Sequence, residues 1–555
     1  MSGDEVTISP TRTIVLSAWG IFKEQWPLLI PLFIVLRILY KRYASPLREY
    51  PGPFVASFTR LWKVMSTISE QTHLHHIELH RKYGPIVRIS PNELSFSSPT
   101  VARHVLSAGK RFYKTDFYSV FPPPENPDIF TEIREDVHAM KKKVANVPYS
   151  MAAMRQLSPF IDDTIDFLVS RLDQFCPDTA IPGFQQAGLP GRNTIVNLGD
   201  WLHFFAFDVL GEVAFGRSFG FLAAGVDKEN AIKTIDNSQK YNGIVGQIPE
   251  IDCLLRRNPL WRWIPAFDPN NAVITRIARE EMQKRRPFEV ERDGKGASGD
   301  GREDLLSSLI KGHLKDKRKF HEGDIFAVAH GAIQDQRVQS ANTTGYSFAG
   351  SDSTASSMQS FFWHVLSAPK VLAKLVEEID TAARDGTISA QGNIQWTEAQ
   401  NLPYFQACLK EAMRMRPAVG VNIARYVPPE GIEIEGRHIP GGTRLALNGW
   451  VLHRDKATFG QDADYFRPER WLEDPENAKV MERYMFQFGG GAHVCIGRNL
   501  ALLEINKVIP RLLRDFEFEL VYPGRELKAK ATFFVVQEGL EVYISRKQSE
   551  KEAQQ

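Results

Sequence analysis

The sequence has few cysteines and almost no excess charge of either sign. Its four cysteines, Cys176, Cys253, Cys408 and Cys495, lie far apart among 555 residues and form no Cys-x-x-Cys pair. This spacing argues against a dense disulfide framework and favours a reducing compartment. A formal net charge of +2 argues against nucleic-acid binding, which requires a strongly basic balance or stripe. The sequence also shows no internal repeat and no sustained heptads.

What the chain does have is the apolar content of a large globular protein. Apolar residues make up 43% of it and aromatic residues 11%, enough for one large core or two ordinary ones. Helical patterns dominate and show no βαβ regularity. Short strands are expected at 86–89, 432–439 and 444–447, and a last long helix at 496–516. These patterns predict a mainly α fold in which strands are minor.

The first 49 residues are expected to form a membrane anchor and a linker. Residues 26–36 are uncharged, and the apolar run continues past Arg37. As a helix this run rises only ~22 Å, short of the ~30 Å hydrocarbon core, so apolar residues upstream must contribute. A buried helix and a cleaved signal peptide are the alternatives. Lys41 and Arg42 lie on the wrong side for a signal peptide, and they predict that the bulk of the chain is cytosolic.

The stretch around Cys495 is the most informative part of the sequence. A lone cysteine is more often a small buried hydrophobe than a ligand. Here the glycines at 489–491 permit a close backbone approach to a flat ligand. The helix expected at 496–516 follows at once, so its free N–H groups would stabilise a thiolate. A thiolate ligand pushes electron density onto haem iron and favours cleavage of the O–O bond.

The segment from Phe488 to Gly497, Phe-Gly-Gly-Gly-Ala-His-Val-Cys-Ile-Gly, resembles the cysteine loop of cytochromes P450. The resemblance implies a haem b cofactor whose iron has Cys495 as axial ligand, with Phe488 and Gly489 in the cofactor site. His493 stands where this family usually has arginine. It is expected to contact a haem propionate, with less charge when the imidazole is neutral.

A second match concerns Glu411 and Arg414, which share a helix face because they are three residues apart. Alone, this pair would be an ordinary solvated ion pair. The segment 466–471, Phe-Arg-Pro-Glu-Arg-Trp, also resembles the family's Pro-Glu-Arg element. The resemblance implies that Arg470 joins the pair in a buried, charge-assisted triad that fixes the loop carrying Cys495.

A third match is the segment 349–354, Ala-Gly-Ser-Asp-Ser-Thr, which resembles the oxygen-activating part of the family's long distal helix. An acid followed by an alcohol can deliver the protons that O–O cleavage needs, which implies catalytic roles for Asp352, Ser353 and Thr354. The sequence departs from the family at Ser353, where threonine is usual. Serine keeps the hydroxyl but loses the methyl group that restricts its rotamer, which bears on the coupling of electrons to product.

The distal helix is expected to begin at 324–333 and to resume at 348–350. Between them, residues 334–347 are polar and include poor helix formers. As a helix they would add ~21 Å and rotate the flanking faces by ~40°. The segment is interpreted as a surface excursion or as an intron read through in the gene model.

Weaker signals concern the haem propionates. His138 and Lys142 are four residues apart on a predicted helix, where the family often has Trp-x-x-x-Arg for the propionates. A solvated basic face at 141–143 is the alternative. Arg425, which follows Pro417, resembles a further propionate contact.

The sequences of residues 79–88 and 114–118 resemble those of fungal P450s of the pisatin demethylase-like group. This resemblance implies a P450 domain at 50–548, mostly helical with a small β-rich lobe, followed by a polar tail at 549–555. It also implies electrons from NADPH-cytochrome P450 reductase in the endoplasmic reticulum membrane, with the catalytic domain facing the cytosol. The reaction implied is insertion of one oxygen atom from O₂ into a lipophilic molecule of secondary metabolism.

Two other functions remain open for this sequence. One is a P450-fold isomerase or dehydratase that acts on a peroxide without a reductase, although such enzymes often lack the acid–alcohol pair found here. The other is a haem-binding sensor without enzymatic activity, in which Cys495 would remain but proton delivery would be unnecessary.

Overall fold

The computed structural model describes residues 10–121, 127–176, 194–255, 304–315 and 349–547. Within these ranges helices dominate and strands form only small sheets, which confirms the predicted mainly α fold. The helices are α1 Pro10–Tyr43, α2 Leu61–Ile68, α3 Thr72–Tyr83, α4 Pro99–Leu106, α5 Glu135–Ala145, α6 Met151–Gln156, α7 Ser158–Asp173, α8 Leu198–Phe215, α9 Phe221–Ala224, α10 Ala231–Val245, α11 Leu305–Lys315, α12 Ala349–Leu366, α13 Pro369–Asp385, α14 Trp396–Ala399, α15 Pro403–Met415, α16 Gly449–Leu452, α17 Lys456–Phe459, α18 Pro475–Arg483 and α19 Arg498–Asp515.

The strands form one larger sheet and three small ones. The strands are β1 Ile86–Ser90, β2 Glu93–Phe96, β3 Tyr113–Lys114, β4 Val196–Asn197, β5 Ile423–Tyr426, β6 Ile432–Ile434, β7 Arg437–Ile439, β8 Arg444–Leu447, β9 Phe516–Leu520, β10 Lys528–Ala531, β11 Val535–Glu538 and β12 Glu541–Arg546. The larger sheet has the order β1-β2-β8-β5-β3, and all its pairs are antiparallel except β2 with β8. It is the β-rich lobe that the sequence predicts.

The main core lies where α8, α12, α15 and α19 meet. Helix α8 is apolar on nearly every face, which is typical of a helix surrounded by others, and it packs against α7 and α12. Helix α12 also packs against α15 and α19. Lys507 is buried here, but its charge is paired. Its Nζ lies 2.8 Å from Asp162 and 2.5 Å from the Ser158 hydroxyl.

Helix α1 is continuous over 34 residues although it contains Pro27 and Pro31, and it ends with Lys41 and Arg42. Many of its large apolar side chains after residue 27 are exposed. Among the helices of the described ranges, none is both long and apolar enough to cross a membrane.

Two sequence predictions fall outside the described residues. They are the first half of the distal helix at 324–333 with the segment 334–347, and the polar tail at 549–555. The second half of the distal helix is present as α12, which begins at Ala349. The last long helix, α19, begins at Arg498 and is preceded by Gly497 as its cap, so the predicted start at 496 was two residues too early.

Candidate active site

The loop that carries Cys495 is folded back on itself before α19. The Cys495 N–H donates to the Phe488 carbonyl at 2.8 Å, and the Gly489 N–H donates to the Phe486 carbonyl at 2.9 Å. Gly489 and Gly491 have φ of +71° and +58°, which favour glycine. A Cβ on Gly491 would lie 1.6 Å from the Leu106 carbonyl oxygen, so the close approach at this glycine is to the end of α4.

Cys495 lies deep in the protein, yet its side chain is accessible, as an axial ligand must be. Burial raises the pKa of its thiol. The backbone N–H groups of Gly497 and Arg498 and the charge of Lys142 oppose this rise. The N–H groups at the start of α19 therefore favour a thiolate, although burial outweighs them and the net shift of the pKa is upward.

Lys142 on α5 reaches this loop directly. Its Nζ donates to the carbonyls of Ala492 and Val494, both at 2.7 Å. Lys141 is buried too and donates to the Pro127 carbonyl at 2.5 Å. A solvated basic face at 141–143 is therefore wrong for two of its three lysines, because their charged ends are satisfied by backbone carbonyls inside the protein.

His138 and His493 lie against each other beside the cysteine loop, with ring centroids 4.3 Å apart. Burial lowers the pKa of His138 to about 3 and also lowers that of His493, so both rings are neutral near pH 7. The Glu135 carboxylate, one turn before His138, lies 3.1 Å from His493 Nε2. His493 Nδ1 is buried, and no described residue forms a hydrogen bond with it.

Two cations from the β-rich lobe face the same region. Arg425 on β5 is buried and donates to the Tyr118 hydroxyl at 2.9 Å. Lys114 on β3 donates to the Ile129, Phe130 and Glu132 carbonyls, and burial together with the Arg425 charge lowers its pKa to about 7. Their positive charges both act on His493. An accessible thiol, an unpartnered imidazole nitrogen and two nearby cations fit a haem with its propionates.

The predicted triad is present as a fully buried network. Glu411 and Arg414 on α15 have no exposed side-chain surface and form a two-point ion pair, with both N–O distances 2.8 Å. Arg470 Nε donates to the same carboxylate at 2.9 Å. Two donors that sequence reasoning missed complete the shell, the Trp471 indole and the Arg467 backbone N–H, each at 2.9 Å.

The triad connects to the cysteine loop through His453, which sequence reasoning also missed. Arg414 Nη1 donates to the His453 carbonyl at 2.7 Å, and His453 Nδ1 lies 3.2 Å from the Arg414 carbonyl. At its other side, His453 Nε2 accepts the Phe486 N–H at 2.7 Å. Burial lowers the pKa of His453 to about 3, which keeps the ring neutral and able to accept this bond.

The predicted oxygen-activating residues stand on the first turns of α12 and face different surroundings. Asp352 is buried between α8 and α10, where His203 Nε2 lies 2.8 Å from one carboxylate oxygen and Gln239 donates to the other at 2.5 Å. Ser353 is half-buried, and its hydroxyl donates to the Ala349 carbonyl at 2.5 Å. Thr354 Oγ1 is buried, and none of the described side chains or backbone groups pairs with it.

An apolar, aromatic cluster brings together residues from several separate segments of the chain. Its buried members are Phe117, Tyr118, Val120, Phe121, Val245, Val421 and Phe533. Phe533 contacts Phe117, Phe121 and Phe130 through their rings, at centroid distances of 5.3–6.3 Å. Val419 packs against the cluster from the side. The contribution of Phe533, between β10 and β11, carries no signal in the sequence.

Comparison with known proteins identifies the family. A family model for cytochrome P450 matches residues 50–542. The chain is 34% identical to the cytochrome P450 monooxygenase cicH of Emericella nidulans, over 92% of this chain and 95% of that protein. It is 31% identical to a pisatin demethylase of Fusarium vanettenii, over 93% and 92% respectively. It is 30% identical to the cytochrome P450 monooxygenase gsfF of Penicillium aethiopicum, over 92% and 96%.

The chain belongs to the cytochrome P450 family, and within it to the monooxygenases, which are oxidoreductases. Its relatives are fungal and include pisatin demethylase, which confirms the resemblance drawn from the sequence. The family implies a haem iron cofactor.

Removing the Glu411 carboxylate should abolish haem incorporation. The Glu411→Ala variant leaves Arg414 and Arg470 facing each other in a buried site, which costs about 3–5 kcal/mol. The matched control is Glu476→Ala, which breaks the exposed pair of Glu476 with Lys479, also three residues apart on a helix. That change should cost about 0–1 kcal/mol. Haem per protein and the free energy of unfolding are measured for both. Equal haem content in the two variants would contradict a structural role for the triad.

Proposed function

We propose that this protein is a haem-thiolate monooxygenase that inserts one oxygen atom from O₂ into a lipophilic small molecule of fungal secondary metabolism. The observation that carries the proposal is Cys495, an accessible thiol at the start of α19 in a loop held from two sides. Haem iron with a thiolate ligand supplies O₂ binding and cleavage of the O–O bond. The protein's own residues hold the cofactor, supply protons and exclude water.

In this proposal the residues divide into three groups. Cys495 ligates the iron, with Phe488 and Gly489 beside it in the loop, and the triad of Glu411, Arg414 and Arg470 fixes that loop. The propionates are held by His493, Arg425, His138 and Lys142. Lys142 Nζ already donates two of its three N–H groups to carbonyls of the loop. One N–H group is left for a propionate. Asp352, Ser353 and Thr354 serve proton delivery.

The substrate is proposed to be lipophilic because the cluster around Phe117 and Phe533 is apolar and aromatic. Aromatic rings offer a large apolar contact area with few polar groups to satisfy. One relative is named for the small molecule on which it acts, pisatin.

Electrons are proposed to come from NADPH through NADPH-cytochrome P450 reductase. Insertion of one atom of O₂ leaves the other to be reduced to water, which consumes two electrons and two protons. NADPH supplies two electrons, so one NADPH is expected per product formed.

A membrane location is proposed for the N-terminal 49 residues, with the catalytic domain, 50–548, on the cytosolic side of the endoplasmic reticulum. The support is the exposed apolar surface of α1, where Leu28 is 75% exposed and Phe33 63%. Lys41 and Arg42 at the end of α1 suit a position beside anionic headgroups.

The labelled-oxygen experiment tests the function directly. Holoenzyme with reductase, NADPH and a panel of lipophilic compounds under ¹⁸O₂ should yield a product that carries one ¹⁸O atom.

The reduced carbon monoxide complex should absorb at the wavelength typical of P450s. Cys495→Ser should lose this band and the product together, whereas Cys253→Ser, at an exposed cysteine, should keep both. Isomerisation or dehydration without NADPH and without label would overturn the proposal.

Substitutions at Ser353 should change coupling more than rate. Ser353→Ala removes the hydroxyl beside the haem pocket, so NADPH use should persist while peroxide is released and the product-to-NADPH ratio falls. Ser353→Thr restores the family residue and restricts χ1, so its ratio should equal or exceed that of the parent. The ratio is measured by product and NADPH quantification. A Ser353→Ala variant as well coupled as the parent would assign the hydroxyl role to Thr354.

The membrane proposal predicts different partitioning of the full chain and of a variant that lacks residues 1–49. The full chain should sediment with microsomal membranes in 1 M salt, because apolar contacts are not screened by salt, and the shortened chain should not. If both chains sedimented equally, the catalytic domain itself would bind the membrane, and the proposed anchor would be wrong.

A further inference from the structure

A cluster of four titratable side chains and one amide lies behind the oxygen-activating segment, where α12 packs against α8 and accepts a hydrogen bond from α10. It consists of Asp200 and His203 on α8, Asp236 and Gln239 on α10, and Asp352 on α12. We call it the His203 cluster. Only Asp352 among these residues belongs to the proposed function above.

The hydrogen bonds of the cluster leave Asp352 with two partners of different kinds. His203 Nε2 lies 2.8 Å from Oδ1, and Gln239 donates to Oδ2 at 2.5 Å. Gln239 is itself fixed, because its Oε1 accepts the Phe534 backbone N–H at 3.0 Å. An amide cannot carry a proton at neutral pH, whereas an imidazole can, so His203 is the partner through which a proton can pass.

The side chain of His203 is 17% exposed, whereas that of Asp352 is 6% exposed. The histidine is therefore the more accessible member of the pair. Asp352 is followed directly by Ser353, which is half-buried and points about 100° away from it around the helix.

Three carboxylates surround the imidazole. Asp352 contacts it from α12, Asp236 faces it from α10, and Asp200 lies one turn before it on α8. Burial would lower the pKa of His203, but these charges outweigh burial and raise it. Burial and the charge of Asp352 raise the pKa of Asp236 to about 7. Asp227, Glu538 and Lys530 are the charged groups that act on Asp236 from outside the cluster.

We propose that His203 is the relay residue through which protons from solvent reach Asp352 during oxygen activation. Protonated His203 gives its Nε2 proton to Asp352 and keeps its Nδ1 proton. While the carboxyl group is turned away to pass that proton on, Nε2 takes up a proton from bulk solvent, so the charge of the pair is restored after each delivery. Asp352 releases Gln239 and turns towards Ser353 to pass the proton on. The relay rests on the proposed monooxygenase function, since only that reaction consumes protons at this helix.

The alternative is that His203 only holds Asp352 in place. Two variants separate these roles. His203→Gln keeps an N–H donor for Asp352 but cannot carry a proton, whereas His203→Ala loses both abilities. His438→Gln is the control, at an exposed histidine of β7. Each variant is prepared as full-length holoenzyme, with haem content and the carbon monoxide spectrum recorded first.

The first measurement is NADPH oxidation with reductase, without added substrate, from pH 6 to pH 9. Loss of a positioned proton donor costs about 10²–10⁴-fold, so both His203 variants should be slower by at least about tenfold. The parent rate should fall as pH rises and His203 loses its proton, and the variants should lack this dependence. A His203→Gln variant with the rate and pH profile of the parent would overturn the relay and leave a hydrogen-bonding role.

The second measurement is the unfolding temperature over the same pH range, which does not depend on turnover. A histidine whose pKa is raised by folding stabilises the protein below the unfolded-state pKa, and this contribution is lost as pH rises through the folded-state value. The unfolding temperature of the parent relative to His203→Gln should therefore decrease from pH 6 to pH 9. A difference independent of pH would show that His203 carries no proton to deliver. Absence of the carbon monoxide band in the parent would refute the proposed function instead.

Discussion

The cysteine side of this molecule depends on the burial of one carboxylate, that of Glu411. Taking an ion out of water costs several kcal/mol, and the cost is met only if its lone pairs are satisfied with good geometry. Glu411 has five such bonds, from Arg414, Arg470, Trp471 and the backbone of Arg467. These donors come from α15 and from a short 3-10 helix, Pro468–Trp471, with the residue before it, more than fifty residues later. The carboxylate thus joins two helical segments that are far apart in the sequence.

Hydrogen bonds connect this network to the cysteine loop. Arg414 holds the His453 backbone, and His453 accepts the Phe486 N–H. On the opposite side, Lys142 holds two loop carbonyls. Cys495 therefore lies in a loop fixed at both flanks while its own side chain stays accessible.

The features that could be predicted from the sequence are those that depend on residues close together along the chain. The shared helix face of Glu411 and Arg414 and the tight loop at the glycines before Cys495 could be predicted from local sequence, whereas the burial of the pair and the role of Cys495 came from the family resemblance. Partners that depend on tertiary packing could not. Lys142 bonds to a loop 350 residues away, and His203 to an aspartate 149 residues away. A long basic side chain and a lone histidine on an apolar helix give no sign of such partners, and the start of α19 was missed because Gly497 caps it.

Ser353, where the family usually has threonine, has different surroundings on α12 from those of its neighbour Asp352. Successive helical residues point about 100° apart, so Asp352 can lie in the polar region between α8 and α10 while Ser353 borders the half-buried side. A threonine methyl would restrict the rotamer by steric contact. Here the Ser353 hydroxyl instead donates to the carbonyl of Ala349 one turn earlier. This bond to the helix backbone gives the hydroxyl one direction and leaves its lone pairs free to accept a hydrogen bond.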